Sequence, residues 1–136
     1  MKNILITGAS QGIGKATAVE AAKNKMFVGI NYNKNLEAAQ SCIDEVKSAG
    51  GDGMILQCDV ADSNAVKVMF KKFLEKANTI DGVFNNAGIT GPISQIQDLD
   101  PAELKTLIDT NVSGAFYVAQ ESARAMINQN YGAIVN

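Results

Sequence analysis

The residues best placed to do chemistry lie near the start of the chain, in "TGASQGIG", Thr7 to Gly14. Gly8, Gly12 and Gly14 stand at G-x-x-x-G-x-G spacing, between a short apolar run and a helical pattern. Glycine is needed where a chain turns with positive φ, and where a bound group must approach the backbone with no Cβ in the way. A helix opening at such a turn presents unpaired N–H groups and the positive end of its dipole, a combination suited to a pyrophosphate. The spacing differs from the commoner G-x-G-x-x-G dinucleotide fingerprint. A tight strand-to-helix turn with no ligand is the competing reading of the same glycines.

Composition removes several other chemistries. The chain has no histidine, which excludes Ser-His-Asp and Cys-His mechanisms and most zinc sites. Cys42 and Cys58 form no C-x-x-C pair and read as small buried apolar residues. A net charge of −2 offers no basic stripe to displace counterions, so no nucleic-acid partner is expected. The apolar run Ile4-Leu5-Ile6 is too short for a signal-peptide core or a membrane span. A cytoplasmic location without membrane association is therefore expected. A length of 136 residues, 46% hydrophobic and 19% charged, bounds the chain at one ordinary globular domain with a sizeable core.

The elements that must position the glycine turn alternate along the chain. Lys2–Thr7, Met26–Asn31 and Gly53–Cys58 read as continuous apolar strands of a sheet covered on both faces. "DGVFNN" and "GAIVN" read as a fourth and a fifth strand. Helices are expected at Gly12–Asn24, in "NLEAAQSCIDEVKSAGG", from Asp62 to Ala77 and from Pro101 to about Asn128. In the third of these, Val66, Met69, Phe70, Phe73, Leu74 and Ala77 mark one buried face, and Asp62 or Ser63 supplies the N-cap. Pro101 suits a first helical turn. Asn111, beside Ser113 and Gly114, is unfavourable in a helix interior, so a local kink or break is expected there. Five strands separated by four helices imply an α/β fold built on a parallel sheet with right-handed crossovers.

Taken together, "TGASQGIG", "CDV" (Cys58–Val60), "NNAG" (Asn85–Gly88) and "TNVSGAF" (Thr110–Phe116) resemble the short-chain dehydrogenase/reductase family. The likeness is nearest to its glucose-dehydrogenase-like and 3-oxoacyl-carrier-protein-reductase-like members. It spans the whole chain, with each motif in order and on the expected element. The resemblance implies a Rossmann-type parallel sheet, strand order 3-2-1-4-5, with helices on both faces. It implies that Gly8, Ser10, Gln11, Gly12, Ile13 and Gly14 hold the pyrophosphate and adenosine ribose of a nicotinamide dinucleotide. Asp59 and Val60 would contact the adenine, and Asn86, Ala87 and Gly88 would line the cleft. Plainer readings stand beside these: a solvated strand end for Asp59, and turn formation for Asn85 and Asn86.

An NAD site usually carries an acid about 20 residues beyond the glycine turn, on the ribose 2′-hydroxyl. That window reads Asn31-Tyr32-Asn33-Lys34 and contains no acid. The missing acid, with Lys34 able to pair a 2′-phosphate, favours NADP over NAD, although Gln11 and Asn33 stand where NADP-preferring members of the resembled family often carry a basic residue. A solvated lysine at a helix start is the alternative.

By the same resemblance, Asn111 matches the asparagine of an Asn-Ser-Tyr-Lys catalytic tetrad, where it helps hold a water leading to the lysine. The serine and the Y-x-x-x-K pair are not found: Tyr32, Tyr117 and Tyr131 have no lysine four places on. Such a tyrosine needs a lysine to lower its pKa before it can act on an alcohol or carbonyl. Residues 1–136 are thus expected to be the incomplete N-terminal portion of a Rossmann domain, truncated on its C-terminal side. The complete enzyme would act on a small carbonyl or alcohol substrate, and the portion alone would be inactive. A non-catalytic dinucleotide-binding module, or an interaction protein using its long helix, is the alternative. A homo-oligomer through the Asn111–Asn128 helix is implied, with Ala115, Ala119, Ala123 and Met126 on the uncovered side. Gly14→Val is expected to abolish binding by filling phosphate space.

Overall fold

In the structure, a computed structural model describing residues 1–136, the alternation becomes five parallel strands. These are β1 (Asn3–Ile6), β2 (Phe27–Tyr32), β3 (Asp52–Gln57), β4 (Gly82–Phe84) and β5 (Ala133–Val135). Their order across the sheet is β3-β2-β1-β4-β5, as the resemblance implies. The order reverses between β1 and β4, and a crevice opens there beyond the strands' carboxyl ends. The helices are α1 (Gly12–Lys23), α2 (Leu36–Ser48), α3 (Ser63–Ala77), α4 (Pro101–Ile108) and α5 (Ala115–Gln129).

Successive strand side chains point to opposite faces, and this splits the core in two. Ile6, Val28 and Ile30 pack on one face with Ala18, Ala21 and Ala22 of α1 and Cys42, Ile43 and Val46 of α2. Leu5, Phe27, Leu56 and Val83 pack on the other with Val66, Met69, Phe70 and Phe73 of α3 and Val118 and Met126 of α5. β2 is buried along its whole length, whereas β3 and β5 are partly exposed because each is an edge strand.

Caps set the helix starts. Asp62 Oδ1 accepts from the N–H groups of Asn64 and Ala65, at 2.8 and 3.1 Å, and opens α3. Asn35 Oδ1 accepts from Ala38 N–H at 2.9 Å and opens α2, and Asp100 Oδ1 accepts from Ala102 N–H at 2.8 Å and opens α4. No side chain caps α1.

One expectation needs correction, and another is met in a particular form. The helical region from Pro101 carries the break expected at Asn111: Asp109–Gly114 forms a π-helical segment between α4 and α5. The kink expected at Asn111 takes this form, one carried by the widened turn itself. Met126 does not lie on the uncovered side of α5. It is 9% exposed and belongs to the core. The exposed apolar residues of this region are Val112, Phe116 and Ile127, while Ala115, Ala119 and Ala123 are half-buried.

Candidate functional site: the cleft at the glycine turn

At the end of β1 the chain turns through Gly8, whose φ of +61° is a left-handed conformation that glycine adopts without steric cost. Both flanking strands hold this turn with amide side chains. From β2, Asn31 Oδ1 accepts the Gly8 N–H at 3.1 Å. From the end of β4, Asn86 Nδ2 donates to the carbonyls of Thr7 and Gly8, at 2.9 and 3.3 Å. The buried Thr7 Oγ1 accepts the N–H groups of Asn86 and Ala87, each at 2.9 Å. The glycine turn and the turn after β4 are thus one hydrogen-bonded unit.

This unit forms a wall of a cleft of about 580 Å³. Of the residues predicted from sequence, Gly8, Ser10, Gln11, Gly12, Ile13, Asn33, Lys34, Asp59, Val60, Asn86, Ala87 and Gly88 all line it. Gly14 does not. It is buried beneath the turn, where an added Cβ would lie 2.5 Å from the Gly8 carbonyl oxygen and 2.7 Å from Asn86 Nδ2. Gly14 therefore allows α1 to pack on the turn, and a valine there would strike the protein's own backbone and not the phosphate space. Asn111 does not line the cleft either. Its Oδ1 accepts the Ile89 N–H and its Nδ2 donates to the Ile89 carbonyl, both at 2.8 Å. It reaches the cleft only through Ile89, which lines it together with Thr110.

At the far end, Asp59 Oδ1 accepts the Ala61 N–H at 2.9 Å, which fixes the carboxylate at the cleft rim. The Asn33 carbonyl accepts from Gln57 Nε2 at 3.1 Å, ordering the turn that carries Lys34. Lys34 is exposed and makes no ion pair. Cys58, on the cleft floor, has its thiol pushed up to about 12, chiefly by burial and then by the Asp59 and Asp62 carboxylates. It is not a nucleophile at neutral pH.

Sequence reasoning missed the scaffold beneath the cleft: Thr7, Asn31 and the walls made by Tyr32, Asn35, Cys58, Ile89 and Thr110. Asn31 lay inside the window searched for an acid. A buried asparagine in an otherwise apolar strand was the available signal, since such a group must be hydrogen-bonded.

The family model for short chain dehydrogenase matches residues 2–136. The 3-oxoacyl-acyl-carrier-protein reductase FabG of Staphylococcus aureus (strain Mu50 / ATCC 700699) is 36% identical over 135 residues, which cover 99% of this chain and 54% of that protein. The chain thus spans about half the length of the curated relatives it matches. Among solved structures, an NAD+-bound xylitol dehydrogenase is similar with a TM-score of 0.95 at 35% identity, covering 99% of this chain and 52% of that one. A metagenomic short-chain oxidoreductase in complex with NADP is similar with a TM-score of 0.93 at 28% identity, covering 99% of this chain and 61% of that one. The match along residues 2–136 agrees with the sheet order and with the glycine turn at its switch point, and the chain belongs to the short chain dehydrogenase family.

Proposed function

We infer that this chain is the cofactor-binding portion of an NADP(H)-dependent oxidoreductase acting on a carbonyl/alcohol pair. The observation that carries the reading is the uncapped start of α1. Side chains from Asn35, Asp62 and Asp100 cap α2, α3 and α4, while α1 opens into the cleft without one. A pyrophosphate oxygen suits the place a capping oxygen takes elsewhere. An added Cβ at Gly12 would meet nothing within 4 Å, so the turn's outer side is open to a ligand. Gly8, Ser10, Gln11, Gly12 and Ile13 would hold the diphosphate and ribose. The second oxygen of Asp59 would accept the adenine amino group, beside Val60. Asn86, Ala87 and Gly88 would face the middle of the cofactor. A bound nicotinamide dinucleotide supplies the hydride chemistry; this chain's residues bind and orient it.

Lys34 favours the 2′-phosphate, beside Asn33, since it is unpaired and Asp59 is the sole carboxylate of the lining. One exposed lysine is worth up to about 1 kcal/mol, about fivefold in affinity. Calorimetry is expected to give tighter binding of NADPH than of NADH by about that factor, and Lys34→Glu should erase or reverse the preference. Equal affinities unaffected by Lys34→Glu would overturn the NADP preference, and no binding of either would overturn the cofactor reading. The affinity for adenosine 2′,5′-bisphosphate should be close to that for NADPH, because the contacts lie on the adenosine side. The 136-residue chain should not consume NADPH with a carbonyl acceptor, since no tyrosine in it is followed by a lysine four places on.

A further inference from the structure

One buried side chain spans the two ends of the cleft. Asn31 is 2% exposed. Its Oδ1 accepts the Gly8 N–H, and its Nδ2 donates to the carbonyls of Leu56 and Cys58 at 3.2 and 3.0 Å. Its own carbonyl accepts the Ala9 N–H at 2.9 Å. Gly8 and Ala9 belong to the glycine turn, while Leu56 and Cys58 lead into Asp59. The β1–β2 ladder ends at Ile6 and Ile30, and the β2–β3 ladder at Tyr32 and Gln57. Asn31 sits one residue past the first ladder and within the second, and the Tyr32 carbonyl accepts the Cys58 N–H at 2.9 Å, so the amide adds side-chain bonds to both turns beside these backbone ones. Only one orientation serves, because a flipped amide would set its oxygen against two carbonyls and its NH₂ against the Gly8 N–H. An apolar side chain would leave those buried groups without these partners.

We propose that Asn31 is a positioning residue for dinucleotide binding: its amide sets the distance between the glycine turn and the turn at Asp59, joining the pyrophosphate and adenine subsites into one preformed cleft. This rests on the dinucleotide reading above. A cleft held in its bound shape spends no binding energy on ordering, so the loss on removing the clamp falls on affinity.

Calorimetric titration with NADPH tests it on the unsubstituted chain, Asn31→Ala, Asn31→Asp and the core control Val46→Ala, each at a temperature where circular dichroism shows it folded. Asn31→Ala is expected to bind about tenfold more weakly. Val46→Ala lowers stability away from the cleft and should bind as the parent does. Asn31→Asp should bind poorly at about pH 8 and recover relative to the parent towards about pH 5.5. A protonated carboxyl can donate to the Cys58 carbonyl while accepting the Gly8 N–H, so a purely structural role would not give this profile. If Asn31→Ala does not fold, the pH profile of Asn31→Asp decides. Parent-like affinity in Asn31→Ala, or a flat relative profile in Asn31→Asp, overturns the proposal and leaves the dinucleotide reading standing. A parent chain that binds no NADPH overturns both, and faster Gly8 amide exchange in Asn31→Ala would then show the clamp alone.

Discussion

Cys58 and Asn31 are neighbours on the floor of the cleft, and their burial has opposite consequences. Asn31 is neutral at every pH and its bonds persist. The Cys58 thiol is pushed up from 9.0 to about 12, first by loss of solvent and then by the Asp59 and Asp62 carboxylates. The unfolded chain loses this proton near the ordinary value while the folded chain keeps it. Stability is therefore full below about pH 9 and falls as pH rises towards 12. At pH 10 the loss should be on the order of 1 kcal/mol. Burial raises Cys42 too, in the same sense, so Cys58→Ala should remove only part of the alkaline slope. Urea unfolding at pH 7 to 10 checks this, and identical slopes in the two proteins would contradict it. At this scale the sequence was legible where a residue's type is tied to a backbone demand. The cleft-facing glycines were read that way, while Asp59 and Asn86 were placed at the cleft by the family resemblance. Thr7 and Asn31 were not, because their partners lie on strands and turns distant in sequence, and only pairing of the strands brings those groups within reach.

Among the elements, the π-helical segment Asp109–Gly114 does most to connect parts of the molecule. Asn111 opens from it and binds both backbone groups of Ile89, tying the loop after β4 to the kink between α4 and α5. Asn85 adds a second tie, donating through Nδ2 to the Ala115 carbonyl and to Asn136 Oδ1, both at 2.9 Å. The loop beyond Ile89 carries Ile93 and Ile96, both almost fully exposed, and has little else to fix it. Replacing Asn111 by leucine should therefore free this loop at a cost of about 1 kcal/mol in stability. Amide exchange and limited proteolysis should increase between Gly88 and Asp98 while α5 stays protected. Unchanged exchange there would show that the loop is held by something else. The strands and α1–α3 were legible because continuous apolar runs alternate with helical patterns, while their order across the sheet came from the family resemblance, since the alternation alone allows more than one order. The π segment was legible only as a break, since neither helix propensity nor spacing distinguishes a widened turn from a kink.

For the whole molecule, the two faces of the sheet are not closed alike. α1 and α2 cover β1 to β3 on one face, but on that same face Phe84 of β4 is only half-buried and Val135 of β5, in register with it, is 57% exposed. On the other face α3 and α5 cover the sheet as far as Ile134 of β5, and on the outer side of α5 the apolar surface continues. Phe116 and Ile127 are 62% and 73% exposed, and Ala123, Met126, Tyr131 and Ile134 line a shallow groove beside them. β5 lies at the sheet edge next to this groove, pairing only with β4. An apolar helix flank beside an unpaired strand edge favours association. The isolated chain is therefore expected to self-associate through α5, with an apparent mass that rises with concentration in light scattering after size exclusion. The association should survive high salt, because no charge pair drives it. Phe116→Lys with Ile127→Lys should restore the monomer, and should leave the melting temperature nearly unchanged because both side chains already face solvent. A parent chain that elutes as a monomer at every concentration, with the same sharp melt as the double variant, would mean that this flank is tolerated in water and that α5 is not an association surface.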